Sequence, residues 1–382
     1  MIEKQIITPN LSTTASFPLK DRFASKIVFM GTPEFAVASL DKLVMAGCNI
    51  AGVITAPDKA GGRGMQLQQS AVKKYAVEKG LHILQPEKLK NPEFLAELKA
   101  LQADLQIVVA FRMLPEVVWN MPPMGTVNLH GSLLPQYRGA APINWAIING
   151  ESTTGVTTFK LQHEIDTGDI LLKAVIEIGE NETAGELHDK MKEVGAELLL
   201  KTVKGLFTGN LVEVPQDRSN GDHQDRSDGD RQDWSDGDRE GRSGGDNQDR
   251  SDGDNQGWSD GDNQRRSDGD RETGLKHAPK IFTETCQINW NKPVNEVYNL
   301  VRGLSPYPAA FTFLELKKLK IYKVEKLLKA PTAEPGAFET DRKTFLHFAC
   351  LDGYLSIEEL QLEGKKKMGI ADFLRGYRWQ ES

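Results

Sequence analysis

Between Asp217 and Glu272 the chain repeats one eight-residue phrase seven times, from DRSNGDHQ to RRSDGDRE. Those 56 residues hold only two large apolar side chains, Trp234 and Trp258, and no Lys, Leu, Ile or Val. So polar a stretch cannot offset the entropy of ordering itself, ~1–2 kcal/mol per residue for the backbone alone, and its default is a disordered, solvated insert. A solenoid is excluded on the same ground. Stacked repeats bury an apolar position each, and five of the seven copies offer none. The near identity of the copies points to tandem duplication of an eight-codon unit. Pieces such as DRSDGD also resemble the opening of an oxygen-ligand calcium loop. The closing bidentate Glu and the flanking apolar helices are missing, so calcium is the weaker of the two readings.

The repeat divides the chain into a flexible extension at 1–25, an α/β domain at 26–215, the insert at 216–273 and a smaller domain at 274–382. It also distorts the charge. The whole chain has 47 Lys plus Arg against 54 Asp plus Glu, a formal net charge of −7, which argues against a polyanionic partner such as RNA. The repeat alone holds 9 Arg and 18 acidic residues, so the remaining 326 residues carry +2. The acidity belongs to the insert. No run of ~18 apolar residues exists to span a membrane. Three distant cysteines without CxxC spacing exclude a disulfide scaffold or a Cys-rich zinc site and fit a reducing compartment. The first 25 residues lack a signal peptide's apolar core, and an organellar leader is the weaker reading of their basic character. A cytoplasmic monomer without a metal is the expectation.

Within 26–215, apolar runs alternate with helical spacing. KIVFMG (26–31) precedes a turn and FAVASLDKLVMAG; NIAGVITA (49–56) is a second strand. Helices follow at Ala71–Lys79 and from Pro92 to Leu101, with further strands at Asp104–Ala110 and Gly125–Gly131. This alternation predicts a Rossmann-like, mainly parallel sheet with ligands outside the carboxyl ends of its strands. The first turn, GTPEF, lacks GxGxxG, and GxxxxGK[ST] is absent, so neither a nicotinamide dinucleotide nor a P-loop nucleotide is indicated.

Asn128 and His130 flank Leu129 near a strand's end, where period two points both to one face. Further on, EIDTGDI places Asp166 and Asp169 around a turn at Gly168. An amide, an imidazole and a carboxylate are the parts needed for acyl transfer without a covalent intermediate. The amide donates to a developing oxyanion, the imidazole moves a proton, and the carboxylate orients it. Each also has a structural explanation: a strand His is often simply hydrogen-bonded, and DTGD suits an Asx-turn.

NLHGSLLPQYRGAAPINW (128–145) and HEIDTGDILL (163–172), together with GTPEFAV and the AGGRG loop, resemble the formyltransferase family that uses 10-formyltetrahydrofolate. Within it, the GAAPI that follows SLLPxYR is most similar to members whose acceptor is methionyl-initiator tRNA. The resemblance covers 26–215 and 274–382. It implies that Asn128, His130 and Asp166 are the catalytic trio and that Ser132, Leu133, Leu134 and Pro135 form a folate-binding turn. It also implies that Val108–Leu114, with Phe111, Met113 and Leu114, lines the pterin pocket. His163 and Glu164 stand where a methionine or small residue and a glycine are usual, and AFRML replaces the more usual AYG-type segment. The first pair is read as substituted wall residues.

The segment PDKAGGRGMQLQQS (57–70) reads by itself as an uncapped, mobile surface loop. The resemblance makes it the insertion that meets the acceptor stem, with Lys59 and Arg63 supplying charge. Beyond the repeat, INWNKPVNEVYNLVRGL (288–304) reads as a packing helix with Trp290 in the core. Lys317, Lys318, Lys320, Lys323, Lys326 and Lys329 lie on a strand-like run, and Lys365, Lys366 and Lys367 form a second cluster. Lysines on a sheet edge often only prevent strand pairing. The resemblance implies a small C-terminal β-barrel (OB-like) domain that grips RNA. Rival readings are a sugar-nucleotide or glycinamide-ribotide formyltransferase, a folate hydrolase with the same trio, or a non-catalytic RNA-binding relative.

Overall fold

The computed structural model describes residues 6–7, 25–61, 66–216 and 274–379. The repeat, Arg63 and most of the expected N-terminal extension lie outside the described residues. In chain order the first part runs β1 (Ile6–Ile7), β2 (Lys26–Gly31), α1 (Glu34–Met45), β3 (Asn49–Ile54), β4 (Lys59–Gly61), β5 (Gln66–Gln68), α2 (Ala71–Glu78), β6 (Ile83–Leu84) and α3 (Pro92–Ala100). It continues with β7 (Leu105–Val109), α4 (Glu116–Trp119), β8 (Thr126–His130), β9 (Arg138–Gly139), α5 (Pro142–Ile148), β10 (Thr153–Lys160), β11 (Ile170–Glu177) and α6 (Ala184–Thr208).

Eight of these strands form one sheet in the order β1-β11-β10-β8-β7-β2-β3-β6. From β8 to β6 all neighbours are parallel, while β10, β11 and β1 join by antiparallel pairing. The sheet is covered on both faces, which is why its central strands are apolar throughout rather than alternating. In β2, Ile27 and Phe29 enter one core with Leu40, Leu43 and Leu199. Val28 and Met30 point the other way, into a second core with Phe94, Leu98 and Val118. Strand order reverses between β2 and β7, where Gly31 pairs with Val109. The carboxyl ends at such a reversal leave a crevice between diverging loops.

Helix ends follow local chemistry. Ser70 caps α2 by accepting from the Lys73 N–H, and Asn91 caps α3 ahead of Pro92. A Thr183–Glu186 capping box opens α6, and Gly209, at φ +67°, closes it. The expected uncapped loop at 57–70 thus ends on a cap, and it contains a short antiparallel ribbon of β4 and β5.

The second part comprises β12 (His277–Ala278), a 3₁₀ turn (Glu284–Cys286), α7 (Val294–Leu304), β13 (Ala310–Leu314), β14 (Lys317–Leu327), β15 (Phe338–Thr340), β16 (Leu346–Ala349), β17 (Tyr354–Leu362), β18 (Met368–Gly369) and α8 (Ile370–Gly376). Its main sheet is an antiparallel half-barrel in the order β13-β14-β17-β16-β15, with β18 on β17. Trp290 is in this core, as its sequence context suggests, stacked on Phe348 with ring centroids 4.8 Å apart. Helix α7 sends Val297 and Val301 into that core. Its carboxyl end meets α5, where the Asn144 amide donates to the Gly303 carbonyl at 2.7 Å. A Cβ at Gly303 would lie 2.6 Å from Ile148 Cγ1, so the two helices approach here as only glycine allows. Both sheets belong to one compact unit.

Candidate active site

Strand β8 is held on both sides, by β7 (Val108 opposite Asn128) and by β10 (Phe159 opposite Asn128). This double pairing fixes its last three residues at the carboxyl edge of the parallel strands. The Asn128 side chain is half-buried, and among the described residues its amide has no hydrogen-bond partner. His130 is buried, and its Nε2 lies 2.9 Å from the Tyr137 carbonyl oxygen. A carbonyl only accepts, so Nε2 carries the proton and the lone pair of the neutral ring sits on Nδ1. Nδ1 faces Asp166 Oδ2 at 3.7 Å, within ion-pair reach. The Phe159 ring meets His130 edge-on at 6.5 Å between centroids.

Asp166 reaches this position from the loop between β10 and β11. Its backbone adopts φ +54°, a left-handed conformation that Asp tolerates better than most residues. Its carboxylate accepts from the Gly139 N–H at 3.0 Å. The Asp166 carbonyl accepts from Arg138 Nε at 3.1 Å and from Gln216 Nε2 at 2.8 Å. The same Gln216 nitrogen donates to the Gly168 carbonyl at 2.8 Å, and Gln216 Oε1 accepts from Arg138 Nη2 at 2.6 Å. Gly168 must be glycine, because a Cβ there would lie 1.6 Å from the Lys160 carbonyl oxygen.

The segment 136–141 is the hub of these contacts, and the chain beyond the repeat fastens it. β9 pairs in parallel with β12, placing His277 opposite Arg138 and Ala278 opposite Gly139. Tyr137 N–H donates to the Lys276 carbonyl, and the N–H groups of Ala140 and Ala141 donate to that of Ala278. Gly139 has φ +121°, and a Cβ on it would approach the Ala278 oxygen to 2.5 Å. Beneath the hub, Tyr137 Oη and Lys276 Nζ both donate to Glu151 Oε1 at 2.5 Å. Burial raises the Glu151 carboxyl, but the Lys276 and Tyr137 donors outweigh it and leave its pKa below the usual range. Burial and the Glu151 hydrogen bond push the Tyr137 phenol up.

The SLLP turn is tied inward. Ser132 Oγ donates to the Gln136 carbonyl, the Ser132 carbonyl accepts from Thr157 Oγ1, and Leu134 N–H donates to that same hydroxyl oxygen. Lys173 Nζ, its pKa lowered by burial, donates to the Leu134 carbonyl. The Leu134 side chain is core, packed with Phe159 and Ile170. Of the four expected folate-turn residues, only Leu133 and Pro135 keep partial exposure. Phe111 and Leu114 pack against the second core, whereas Met113 is 66% exposed. Because β7 neighbours β8, the loop carrying these three starts beside the trio. His163 and Glu164 stand exposed on the Asp166 loop.

The expected tRNA contacts fall in two groups far apart in the chain, one in the 57–70 loop and one between β17 and β18. Lys59 is exposed on β4. Lys365, Lys366 and Lys367 are exposed in the turn between β17 and β18, and Lys367 pairs with Glu359 at 2.6 Å. Several β14 lysines are also engaged: Lys323 pairs with Glu358, and Lys318 lies over the Phe311 ring. Among the described residues no group of three or more His, Cys, Asp or Glu is arranged to hold a metal ion. No described helix is long and apolar enough to cross a membrane. Sequence reasoning assigned no role to Tyr137, Gly139 or Gln216; the first two stand inside the SLLPQYRGAAPINW stretch, whereas Gln216 carries no local signal.

Residues 25–203 match the family model described as formyl transferase, and 280–378 match the formyl transferase C-terminal domain. The chain belongs to the formyltransferase family. The methionyl-tRNA formyltransferase of Parabacteroides distasonis is 48% identical over 359 residues, covering 92% of this chain and 96% of that protein. Its counterpart in Porphyromonas gingivalis is 42% identical over 359 residues, covering 92% and 95%. Solved structures share the fold at lower identity. WlaRD, a sugar 3N-formyl transferase crystallised with dTDP and 5-N-formyl-THF, superposes with TM-score 0.57 at 18% identity, covering 90% of this chain and 99% of its own. HypX from Aquifex aeolicus, in complex with tetrahydrofolic acid, gives TM-score 0.55 at 15% identity, covering 93% of this chain and 50% of its own.

Proposed function

We propose that this chain transfers a formyl group from 10-formyltetrahydrofolate to the amino group of methionyl-initiator tRNA. The observation that carries the chemistry is the unpartnered, half-buried Asn128 amide beside a His130–Asp166 pair at the crevice of the sheet. Close identity along nearly the whole length of proteins named methionyl-tRNA formyltransferase supports the acceptor. Solved relatives holding 5-N-formyl-THF or tetrahydrofolic acid support a reduced folate as donor.

The amine of the aminoacyl group attacks the formyl carbon, and its oxygen gains charge. Asn128 Nδ2 donates to that oxygen, a role for which it is free because the fold asks nothing of it. The carbon–nitrogen bond to the folate then breaks, and the proton lost by the attacking amine passes to the departing folate nitrogen. His130 relays it through Nδ1, while Nε2–H stays on the Tyr137 carbonyl. The Asp166 carboxylate stabilises the imidazolium while the ring holds that proton. Asn128 and His130 are therefore catalytic residues in this reading, and Asp166 acts on the ring. Leu133, Pro135 and the Phe111–Leu114 loop border the donor, and the inward bonds of Ser132 and Leu134 hold the turn's shape. Lys59, Arg63 and Lys365–Lys367 supply charge for the tRNA.

The deciding experiment compares formyl transfer to charged initiator tRNA, to amino sugar nucleotides and to water. Transfer confined to the tRNA supports the reading. Preference for a small amine, or donor hydrolysis alone, would overturn it.

A further inference from the structure

We propose that Gln216, the residue immediately before the octapeptide repeat, is a positioning residue that sets the catalytic geometry of Asp166. This inference rests on the assignment of Asp166 to the formyl-transfer site.

Asp166 occupies the left-handed region at φ +54°, a conformation that costs a non-glycine residue ~1–3 kcal/mol and persists only where the surroundings over-determine it. Three groups do so here: Gly139 N–H on the carboxylate, Arg138 Nε on the carbonyl, and Gln216 Nε2 on the carbonyl. Gln216 alone spans the turn. Its amide nitrogen bridges the carbonyls of Asp166 and Gly168, both at 2.8 Å. Its amide oxygen accepts Arg138 Nη2 at 2.6 Å and Nε at 3.2 Å. Both donors and both lone pairs of the side chain are therefore used, at a residue only 5% exposed. Glu, Lys and apolar side chains cannot reproduce this set, because none of them both donates two and accepts two hydrogen bonds.

Gln216 is itself held from behind. Two residues earlier, Val214 makes a reciprocal antiparallel bridge with Ile170, N–H to carbonyl in both directions at 2.7 and 2.9 Å. The segment 214–216 therefore runs across the Asp166 loop as a clasp. Arg138, which Gln216 grips, is the neighbour of both Tyr137, whose carbonyl accepts from His130 Nε2–H, and Gly139, whose N–H donates to the Asp166 carboxylate. One side chain thus bears on the positions of both members of the His130–Asp166 pair. Because the Gln216 side chain is fully used on the carbonyls of Asp166 and Gly168 and on Arg138, it acts through Asp166 as a positioning residue and not as a catalytic one.

The test uses the full chain. Gln216→Glu keeps the shape and the Arg138 contact but turns both donors into acceptors facing two carbonyls. Single-turnover formyl transfer at saturating substrates should fall ~10–100-fold, the scale expected of a misplacement of about 1 Å, with KM for either substrate within ~3-fold. The discriminating arm is a cycle with Asp166→Ala. If Gln216 acts through Asp166, adding Gln216→Glu to Asp166→Ala should change the residual rate by less than ~3-fold. An equal fold loss in both backgrounds, a loss confined to KM, or an unchanged rate would overturn the proposal. Should Gln216→Glu fail to fold, Gln216→Met, uncharged and similar in length, enters the same cycle with the same criteria. Wild-type protein that shows no formyl transfer would defeat the functional reading, whereas normal transfer by both wild type and variant would defeat only this one.

Discussion

Replacing Asn128 by Ala separates catalysis from folding with unusual clarity. Its backbone is locked by pairing on both sides, so the strand does not depend on the side chain. Its amide makes no hydrogen bond with any described residue, so truncation orphans no protein group. The stability cost is then only the packing of one half-buried side chain, ~1 kcal/mol or less. The catalytic cost is of another order. Removing one preorganised donor to a developing oxyanion takes ~10²–10³ from turnover, ~2.7–4 kcal/mol of transition-state stabilisation. The assay is single-turnover transfer to charged initiator tRNA at saturating donor, beside thermal unfolding of the same preparations. A loss of at least ~100-fold with Tm within a few degrees of wild type is expected. Asn128→Asp, which keeps the outline but removes the donor, should fall at least as far. Near-normal transfer by Asn128→Ala would refute the reasoning, and a collapse of Tm would show that the side chain serves the fold.

Gly139→Ala should lower both Tm and activity, because its Cβ would approach the Ala278 oxygen to 2.5 Å at φ +121°; a soluble, fully active variant would contradict that geometry. Lys365→Ala with Lys366→Ala should flatten the log–log salt dependence of tRNA binding by ~0.7–0.9 for each phosphate no longer neutralised. Lys367→Ala should do less, since Glu359 already neutralises that lysine, and an equal effect would count against the placement. Deleting 217–272 removes a net charge of −9 and should lower the apparent Kd for tRNA at low salt; no change would make the repeat a passive passenger. Glu151 has a folded pKa below its unfolded value, so its stabilisation is present above ~pH 4.3 and is lost as pH falls through the folded value. Glu151→Gln should therefore lower Tm at pH 7, with the gap to wild type closing in acid, and a gap constant down to pH ~3 would refute the coupling.

The parallel core was readable because its signals are local. Runs such as Ile27–Met30 are apolar on every residue, and a strand buried on both faces needs to be. Period two was enough to put Asn128 and His130 on one face. What the sequence could not convey was pairing over distance. The β9–β12 bridge joins residues 139 apart in the chain, His277 with Arg138, across a segment whose composition predicts no order at all. Gln216 reads as an ordinary linker residue until Arg138, Asp166 and Gly168 are brought round it. The SLLP turn shows the converse. Its pattern singles out four residues alike, yet the Leu134 side chain belongs to the core with Phe159 and Ile170, a distinction that only the packing reveals.

The fastening of both flanks of the repeat to residues 136–141 has a genetic consequence. Gln216 grips Arg138 and Lys276 accepts from Tyr137, so the ends of the intervening loop are set close together whatever its length. For the unordered loop that the composition predicts, closure entropy grows only with the logarithm of length, so gaining or losing one eight-residue copy changes it by about 0.1 kcal/mol. Copy number at this locus is thus nearly invisible to selection on stability. Gain or loss of a whole copy keeps the reading frame and leaves the contacts of Gln216 and Lys276 with residues 136–141 at the two ends of the tract.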